Sequence, residues 1–188
     1  MITLYIALAL VPVAIFLLYS LKKKQTKTPV SAEPKGTFYE RERNIALNIT
    51  PSLLKLAIPE DEILVYGVVV DMDMGEGFMS LACYITGAAN LHFSAGSGIR
   101  GGGRNPNVGE AGVELVTDAQ DFLAFATPVK VLLPPSKKTV QFFFLTNKGK
   151  YFAQENVRYI EDNSSKWLPL FEKASKVITE MHKGSKPQ

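Results

Sequence analysis

The stretch Ile63–Met74, ILVYGVVVDMDM, decides the fold that we predict for this chain of 188 residues. It is an almost continuous apolar run that is rich in β-branched side chains. Such a run is typical of a strand buried on both faces, since a strand with one wet face alternates polar and apolar residues. We therefore expect a central strand here, followed by a turn at Gly75-Glu76-Gly77.

Outward from this strand, paired strands alternate with helices. Thr50-Pro51 is a helix-start signal, and it predicts a short helix over 52–57. After the strand, the patterns predict a hairpin over 78–95, an amphipathic helix over 108–126, a short strand at 129–133, a second hairpin over 140–155 and a closing amphipathic helix from 167 to 181. Paired strands with helices between them predict an α+β domain, an antiparallel sheet flanked by helices.

This layout resembles the roadblock and longin-like group of domains. The residues that carry the resemblance are the hairpin FMSLACYITGAANLHFSAG (78–96), the helix over 108–126, the second hairpin and the closing helix, so it covers about residues 78–183. The likeness is one of layout, without a diagnostic motif. The additional strand at 63–72 and the glycines from Gly96 onward depart from the group. The resemblance implies a regulatory or scaffolding domain that often pairs with copies of itself.

The N-terminal stretch Met1–Leu21 carries no charged side chain. As a helix it would be about 31 Å long at about 1.5 Å per residue, which matches a hydrocarbon core of about 30 Å. A cleaved signal peptide would instead place basic residues before the apolar run and a cleavage site after it. We therefore expect one transmembrane helix over 1–21. The lysines that follow place the C-terminal side in the cytoplasm by the positive-inside rule: Lys22, Lys23, Lys24 and Lys27.

Composition sets the remaining boundaries. We expect a basic and polar tether over 22–44, a cytosolic α+β domain over 45–183 and a tail over 184–188. Within the tether, the charged stretch FYERERN (38–44) shows little apolar periodicity and predicts at most a short helix outside the core.

The distribution of charge argues against nucleic-acid binding. Five of the 21 basic residues and one of the 18 acidic residues precede Gly36, so the chain from Gly36 onward has a formal net charge of −1. Cys83 is the single cysteine, which excludes an intramolecular disulfide and a metal–thiolate cluster. It flanks an apolar run, and we expect a buried structural thiol.

The run FSAGSGIRGGGRNPNVG (93–109) is the candidate binding site of this sequence. It contains G-x-G-x-x-G, but the strand before it belongs to a hairpin and no carboxylate ends the next strand, so a dinucleotide site is not supported. A less specific hypothesis is an anion site, in which glycine amides form a nest and two arginines bind a phosphate or carboxylate. The alternative is a structural connector that leads into a helix capped by asparagine. The candidate residues are Gly96, Gly98, Arg100, Gly101, Gly102, Gly103 and Arg104.

Four other features suggest chemistry less strongly. DMDMGEG (71–77) resembles the start of a calcium loop, but the glycine and the final acidic position are misplaced, which favours a turn with solvated carboxylates. His92 and His182 are the only histidines, and no partner lies at zinc-ligand spacing. The acidic stripe on the helix over 108–126 would dock a basic partner or remain solvated. In a strand, the side chain of Phe143 lies on the opposite sheet face from those of Phe142 and Phe144. It would be exposed if that face lacked a helical cover.

The sequence therefore predicts a single-pass membrane protein with a cytosolic binding or scaffolding domain, without catalytic residues, metal or cofactor. Its expected partner is a second copy or another protein. The alternative is a regulatory domain that binds a small anionic or phosphate-containing ligand at the Gly-rich run.

Overall fold

The structure is a computed structural model that describes residues 36–101 and 105–184. The predicted transmembrane helix (1–21), most of the tether and the residues Gly102, Gly103 and Arg104 lie outside the described residues. None of the helices in the described part has the length and apolar character that a bilayer crossing requires.

The described elements follow each other as helix, four strands, long helix, three strands and two helices. They are α1 (Phe38–Leu47), β1 (Val65–Asp73), β2 (Phe78–Tyr84), β3 (Ala89–Phe93), β4 (Gly98–Arg100), α2 (Pro106–Phe122) with a 3-10 turn (Leu123–Phe125), β5 (Thr127–Val129), β6 (Thr139–Thr146), β7 (Gly149–Asn156), α3 (Val157–Glu161) and α4 (Leu168–Gly184).

The strands form a seven-stranded sheet with the order β4-β3-β2-β1-β6-β7-β5. Every pairing is antiparallel. β1 lies between β2 and β6, and eight of its nine residues are buried, as the apolar run over 63–74 predicted. The prediction of an α+β domain with an antiparallel sheet and helices is confirmed.

One face of the sheet packs against α2 and α4. The sole tryptophan, Trp167, lies directly before α4 and stacks on Phe142 with 5.5 Å between the ring centroids. Residues that α2 and α4 bury on this face recur at helical spacing, as the amphipathic patterns predicted. They are Val108, Ala111, Leu115, Val116 and Ala119 on α2, and Leu170, Phe171, Ala174, Val177, Ile178 and Met181 on α4.

The other face of the sheet is covered by α1, by the chain after it and by the segment that follows β5. Phe143 lies on this face and is only 1% exposed, so the condition for an exposed Phe143, a sheet face without helical cover, is not met. The side chains of Ala46 and Leu47 pack over it as part of a second core cluster. The reason is that α1, expected outside the core, lies directly on the sheet.

Three local predictions differ from the structure. The predicted helix over 52–57 is a turn at 51–55, since Pro59 leaves too little chain for a regular helix. In place of the strand predicted at 129–133, β5 spans Thr127–Val129, and residues 130–133 run on without strand pairing. The folded part also begins before Ile45, because α1 starts at Phe38 with Thr37 as its N-cap. The hydroxyl of Thr37 accepts from the amide of Glu40, whose carboxylate accepts from the amide of Thr37.

Candidate functional site

A row of polar side chains crosses the sheet beneath α1. The strand registers place Gln141 opposite Asp71, Asp71 opposite Ser80, and Ser80 opposite His92. Directly opposed residues of antiparallel strands share a face, and all four side chains are buried. Apolar residues dominate the rest of both sheet faces, so this polar row is the unusual chemical feature of the described fold.

Arg43 of α1 enters this row from above. Its Nε donates to Asp71 Oδ2 at 2.5 Å, Nη1 donates to the carbonyl of Leu132 at 3.0 Å, and Nη2 donates to the carbonyl of Leu133 at 2.8 Å. The guanidinium carbon also lies 5.3 Å from the centre of the Phe143 ring. All three nitrogens of the guanidinium are therefore hydrogen bonded, and its face lies over an aromatic ring.

Burial controls the protonation of the groups around Arg43. Burial raises the pKa of Asp71, and the Arg43 guanidinium opposes that shift by favouring the carboxylate. Burial also raises the pKa of the Tyr39 hydroxyl, and the charge of Asp71 adds to this effect. Arg43 is thus the cation that stabilises the Asp71 carboxylate within an apolar sheet face.

His92 ends the row beside a second carboxylate of α1. Its Nε2 lies 3.5 Å from Glu42 Oε2, and the ring of Phe38 meets the imidazole edge-on at 5.6 Å. Burial lowers the pKa of His92, Glu42 counteracts this shift, and Arg100 adds to it. At neutral pH His92 is therefore held as a neutral imidazole.

The row brings serine, histidine and aspartate together, but their order does not match a catalytic triad. Ser80 lies between Asp71 and His92, whereas a triad needs the histidine in the middle. His92 Nδ1 is turned towards β4, since a Cβ added at Gly98 would lie 2.6 Å from it. The geometry therefore supports a binding or structural role for the row rather than nucleophilic catalysis.

Four atoms of this row, and the hydroxyl of Tyr39 on α1, are buried without a close hydrogen bond among the described residues, while the Ser80 hydroxyl acts on Asp71 as a donor that favours its carboxylate. The five atoms are Tyr39 Oη, Asp71 Oδ1, Ser80 Oγ, His92 Nδ1 and Gln141 Oε1. Two of the five, on Asp71 and Gln141, are oxygens that only accept hydrogen bonds. Leaving a buried polar atom unpaired costs about 1–3 kcal/mol, so the buried Asp71 carboxylate depends on its donors, Arg43 and Ser80.

The Gly-rich run contains a strand that sequence reasoning missed. Gly98 and Arg100 lie in β4, and Gly96 sits in the turn before it with φ +89. The amides of Gly96 and Gly101 donate to the carbonyls of Phe93 and Ala89, which commits them to turn and sheet hydrogen bonds. These contacts support the connector interpretation at those two positions.

Arg100, one of the two candidate anion-binding arginines, forms an ion pair within the fold. Its Nη2 lies 3.3 Å from Glu42 Oε2, while 72% of its side chain stays exposed. Glu42 therefore lies between Arg100 and His92 and joins β3 and β4 to α1. Because Arg104 is outside the described residues, the anion-clamp hypothesis stays a prediction.

The helix after the Gly-rich run begins as expected. Asn105 is the N-cap of α2, with its side chain accepting from the amide of Asn107 at 3.1 Å, and Pro106 occupies the first turn. A cleft of about 290 Å³ opens beside this end of α2. Its lining combines both charges: Asn107, Glu110, Ala111, Lys176, Glu180 and Lys183.

The acidic stripe of α2 meets basic residues of α4. Lys173 Nζ lies 2.9 Å from Asp118 Oδ2 and also bonds Glu114, which in turn bonds Lys176. Hydrogen bonds from the two lysines lower the pKa of Glu114. The basic partner of these carboxylates is thus a helix of the same domain.

Metal binding finds no support in the described residues. No group of three or more histidine, cysteine or acidic side chains there is placed to hold a metal ion. In the predicted calcium-like stretch, Asp71 pairs with Arg43, and Asp73 accepts from the amides of Gly75 at 3.0 Å and Lys138 at 2.6 Å. Asp73 fits the predicted turn, whereas Asp71 is buried and not solvated.

The comparisons with known proteins leave the site to be interpreted from its own chemistry. No protein family, curated protein or solved structure shows a significant match to this chain.

Proposed function

We propose that this protein is a single-pass membrane protein whose cytosolic α+β domain is a non-enzymatic binding and scaffolding module that self-associates. The uncharged stretch 1–21 and the four lysines after it support the anchor and its orientation. The resemblance to the roadblock and longin-like group supports pairing between copies. A reporter fused to the C-terminus tests orientation, because activity of an extracytoplasmic reporter there would contradict the assignment.

The observation that carries self-association is an apolar strip at one edge of the sheet. Phe125, Val131 and Leu133 are 57%, 69% and 66% exposed. They flank β5, the last strand of the sheet on this side. We call residues 125–133 the edge strip. Exposed apolar side chains beside an unpaired strand edge are features of interaction surfaces.

A second copy is the partner that this geometry fits best. Two copies related by a twofold axis place the same surface against itself, so the edge strip of one copy would pack on the edge strip of the other through its exposed side chains. The exposed side chains of Val131 and Leu133 would then be covered by the same residues of the other copy. Such a twofold interface is closed, so association through it stops at the dimer.

Cysteine cross-linking of the full-length protein in membranes tests this proposal. The native Cys83 is fully buried and burial raises its pKa, so it contributes little background. We expect Val131→Cys to give a disulfide-linked dimer on mild oxidation. Leu53→Cys is the matched control, since Leu53 is 67% exposed but lies outside the edge strip. Equal cross-linking at both positions would show random collision and would contradict the interface.

A regulatory domain that binds a small anion is the second candidate. The cleft beside the N-terminal turn of α2 favours it, because the Gly-rich run leads to that turn and the lining includes Lys176, paired with Glu114, and Lys183, paired with Glu180. Thermal shift of the protein with inorganic phosphate, nucleotides and sugar phosphates tests the idea. We expect a ligand to raise the Tm and the double substitution Arg100→Ala, Arg104→Ala to remove that increase. If none of these ligands changes the Tm, the proposal is contradicted.

A further inference from the structure

The contacts of Arg43 describe a binding slot that is complete without α1. Its acceptors are Asp71 of β1 and the carbonyls of Leu132 and Leu133, and its floor is the Phe143 ring of β6. None of these four contacting residues belongs to α1, which supplies the guanidinium. We call these four residues the guanidinium slot.

The slot matches a guanidinium in shape as well as charge. Three acceptors receive three different nitrogens, while an aromatic ring lies against the planar group. An ammonium is a point donor on a flexible chain, and it cannot reach three acceptors spread around a plane. The Asp71 carboxylate is 0% exposed, so it independently favours a ligand that carries a positive charge together with N–H donors.

We propose that the guanidinium slot is an arginine-recognition site, that Arg43 is its resident occupant, and that the slot accepts the α1 sequence when it is supplied separately. α1 is suited to exchange because residues 48–64, which join it to β1, contain turns but no helix or strand. The ligand class is therefore an alkylguanidinium, carried in this chain by the segment GTFYERERNIALN (36–48).

Chemical rescue of Arg43→Ala in the full-length protein tests the slot. The substitution removes the part of the side chain that ethylguanidinium replaces. At about ten times its Kd, ethylguanidinium is expected to raise the Tm of this variant by about 3–6 °C. Ethylammonium at the same concentration is the matched control and should leave the Tm unchanged, as should ethylguanidinium with the wild type.

The double variant Arg43→Ala, Asp71→Asn should lose this response, because the charged acceptor is gone. Equal shifts with both cations, or a shift that survives in the double variant, would overturn the assignment. If Arg43→Ala is recovered only by refolding, the yield with ethylguanidinium against ethylammonium replaces the Tm, with the same outcomes. Arg43→Lys provides an independent variant, and wild-type stability for it would refute guanidinium selectivity.

Binding of a labelled peptide tests the acceptance of α1 in trans. The peptide 36–48 is expected to bind the Arg43→Ala protein at least about tenfold more tightly than the same peptide with lysine at position 43. It should bind the wild type more weakly, since Arg43 already fills the slot. Equal affinity of the two peptides for Arg43→Ala would contradict arginine recognition.

Discussion

Replacing Arg43 with methionine is the sharpest test of how α1 is held on the sheet. The substitution keeps the apolar stem but removes the donors to Asp71, Leu132 and Leu133. It leaves Asp71, which is 0% exposed, without its cation. Breaking a buried ion pair from one side typically costs about 3–5 kcal/mol. We expect a loss of unfolding free energy in that range at pH 8.

The linkage between proton binding and folding gives an independent upper bound on this loss of unfolding free energy. If Asp71 stayed protonated in the folded variant at pH 7, while its pKa in the unfolded chain is about 3.9, the penalty would be about 4 kcal/mol. Burial already raises the pKa of Asp71 in the wild type, so the contribution specific to the substitution is smaller. The lost hydrogen bonds to two carbonyls add to it.

The pH dependence has a definite sign. A carboxyl whose pKa is raised on folding favours the folded state at low pH, and this advantage is lost as the pH rises through the raised pKa. Arg43→Met raises the pKa of Asp71 further by removing the adjacent positive charge. The stability gap between wild type and variant should therefore be smallest near pH 4 and widen towards pH 8.

Urea unfolding followed by Trp167 fluorescence measures these free energies, since the single tryptophan is buried in the core. Adding Asp71→Asn to Arg43→Met should recover at least about 1.5 kcal/mol at pH 8, because the uncompensated charge is removed. Arg158→Met, at an exposed helical arginine, is the control and should change stability by about 0.5 kcal/mol or less. A loss below about 1 kcal/mol for Arg43→Met, or further destabilisation by Asp71→Asn, would refute the reasoning.

Three further substitutions test packing and charge. Gly98→Ala should cost about 1–3 kcal/mol and shift the NMR signals of His92, because the added Cβ would lie 2.6 Å from its Nδ1. Gly112→Ala should stabilise by about 0.5–1 kcal/mol in the same urea assay, since its nearest neighbour would be 3.8 Å away and the site is helical. Glu114→Gln, which removes the charge that pairs with Lys173 and Lys176 and leaves Asp118 beside Lys173, should cost about 1 kcal/mol or less. Because the Glu114 pKa is lowered, that cost should vanish as the pH falls through the lowered value; a cost that persists there would contradict the pairing.

The elements with a clear apolar period were predictable from the sequence. β1 shows a continuous apolar run, while the apolar residues of both hairpins, α2 and α4 recur at strand or helix spacing, and these patterns indicate the element type directly. β4 was not predictable, because its three residues lie within a Gly-rich run and pair through backbone groups. The 3-residue β5 is short for a related reason, since Pro128 lies at its centre and lacks an amide donor.

The sequence pattern around Asp71 did not predict the polar row. The stretch DMDMGEG predicts a turn with solvated carboxylates, whereas Asp71 falls within the buried part of β1. A carboxylate inside a run buried on both faces requires a cation, and that requirement was a usable signal. The cation was in FYERERN, whose buried positions Tyr39, Arg43, Ala46 and Leu47 do follow helical spacing. The apolar pattern of this helix is difficult to detect in the sequence because one of its four buried positions, Arg43, is charged.

The position of α1 decides which apolar surface of this domain meets solvent. With Arg43 in the guanidinium slot, the helix covers Phe143 and holds the backbone at Leu132 and Leu133. The side chain of Leu133 then points outward with Val131 at the sheet edge. Removing Arg43 from the slot would free the carbonyls of this segment and uncover a phenylalanine at the same time. Self-association through the edge strip and occupancy of the guanidinium slot are therefore expected to be coupled, and cross-linking at Val131→Cys should fall when Arg43→Ala is added and return with ethylguanidinium.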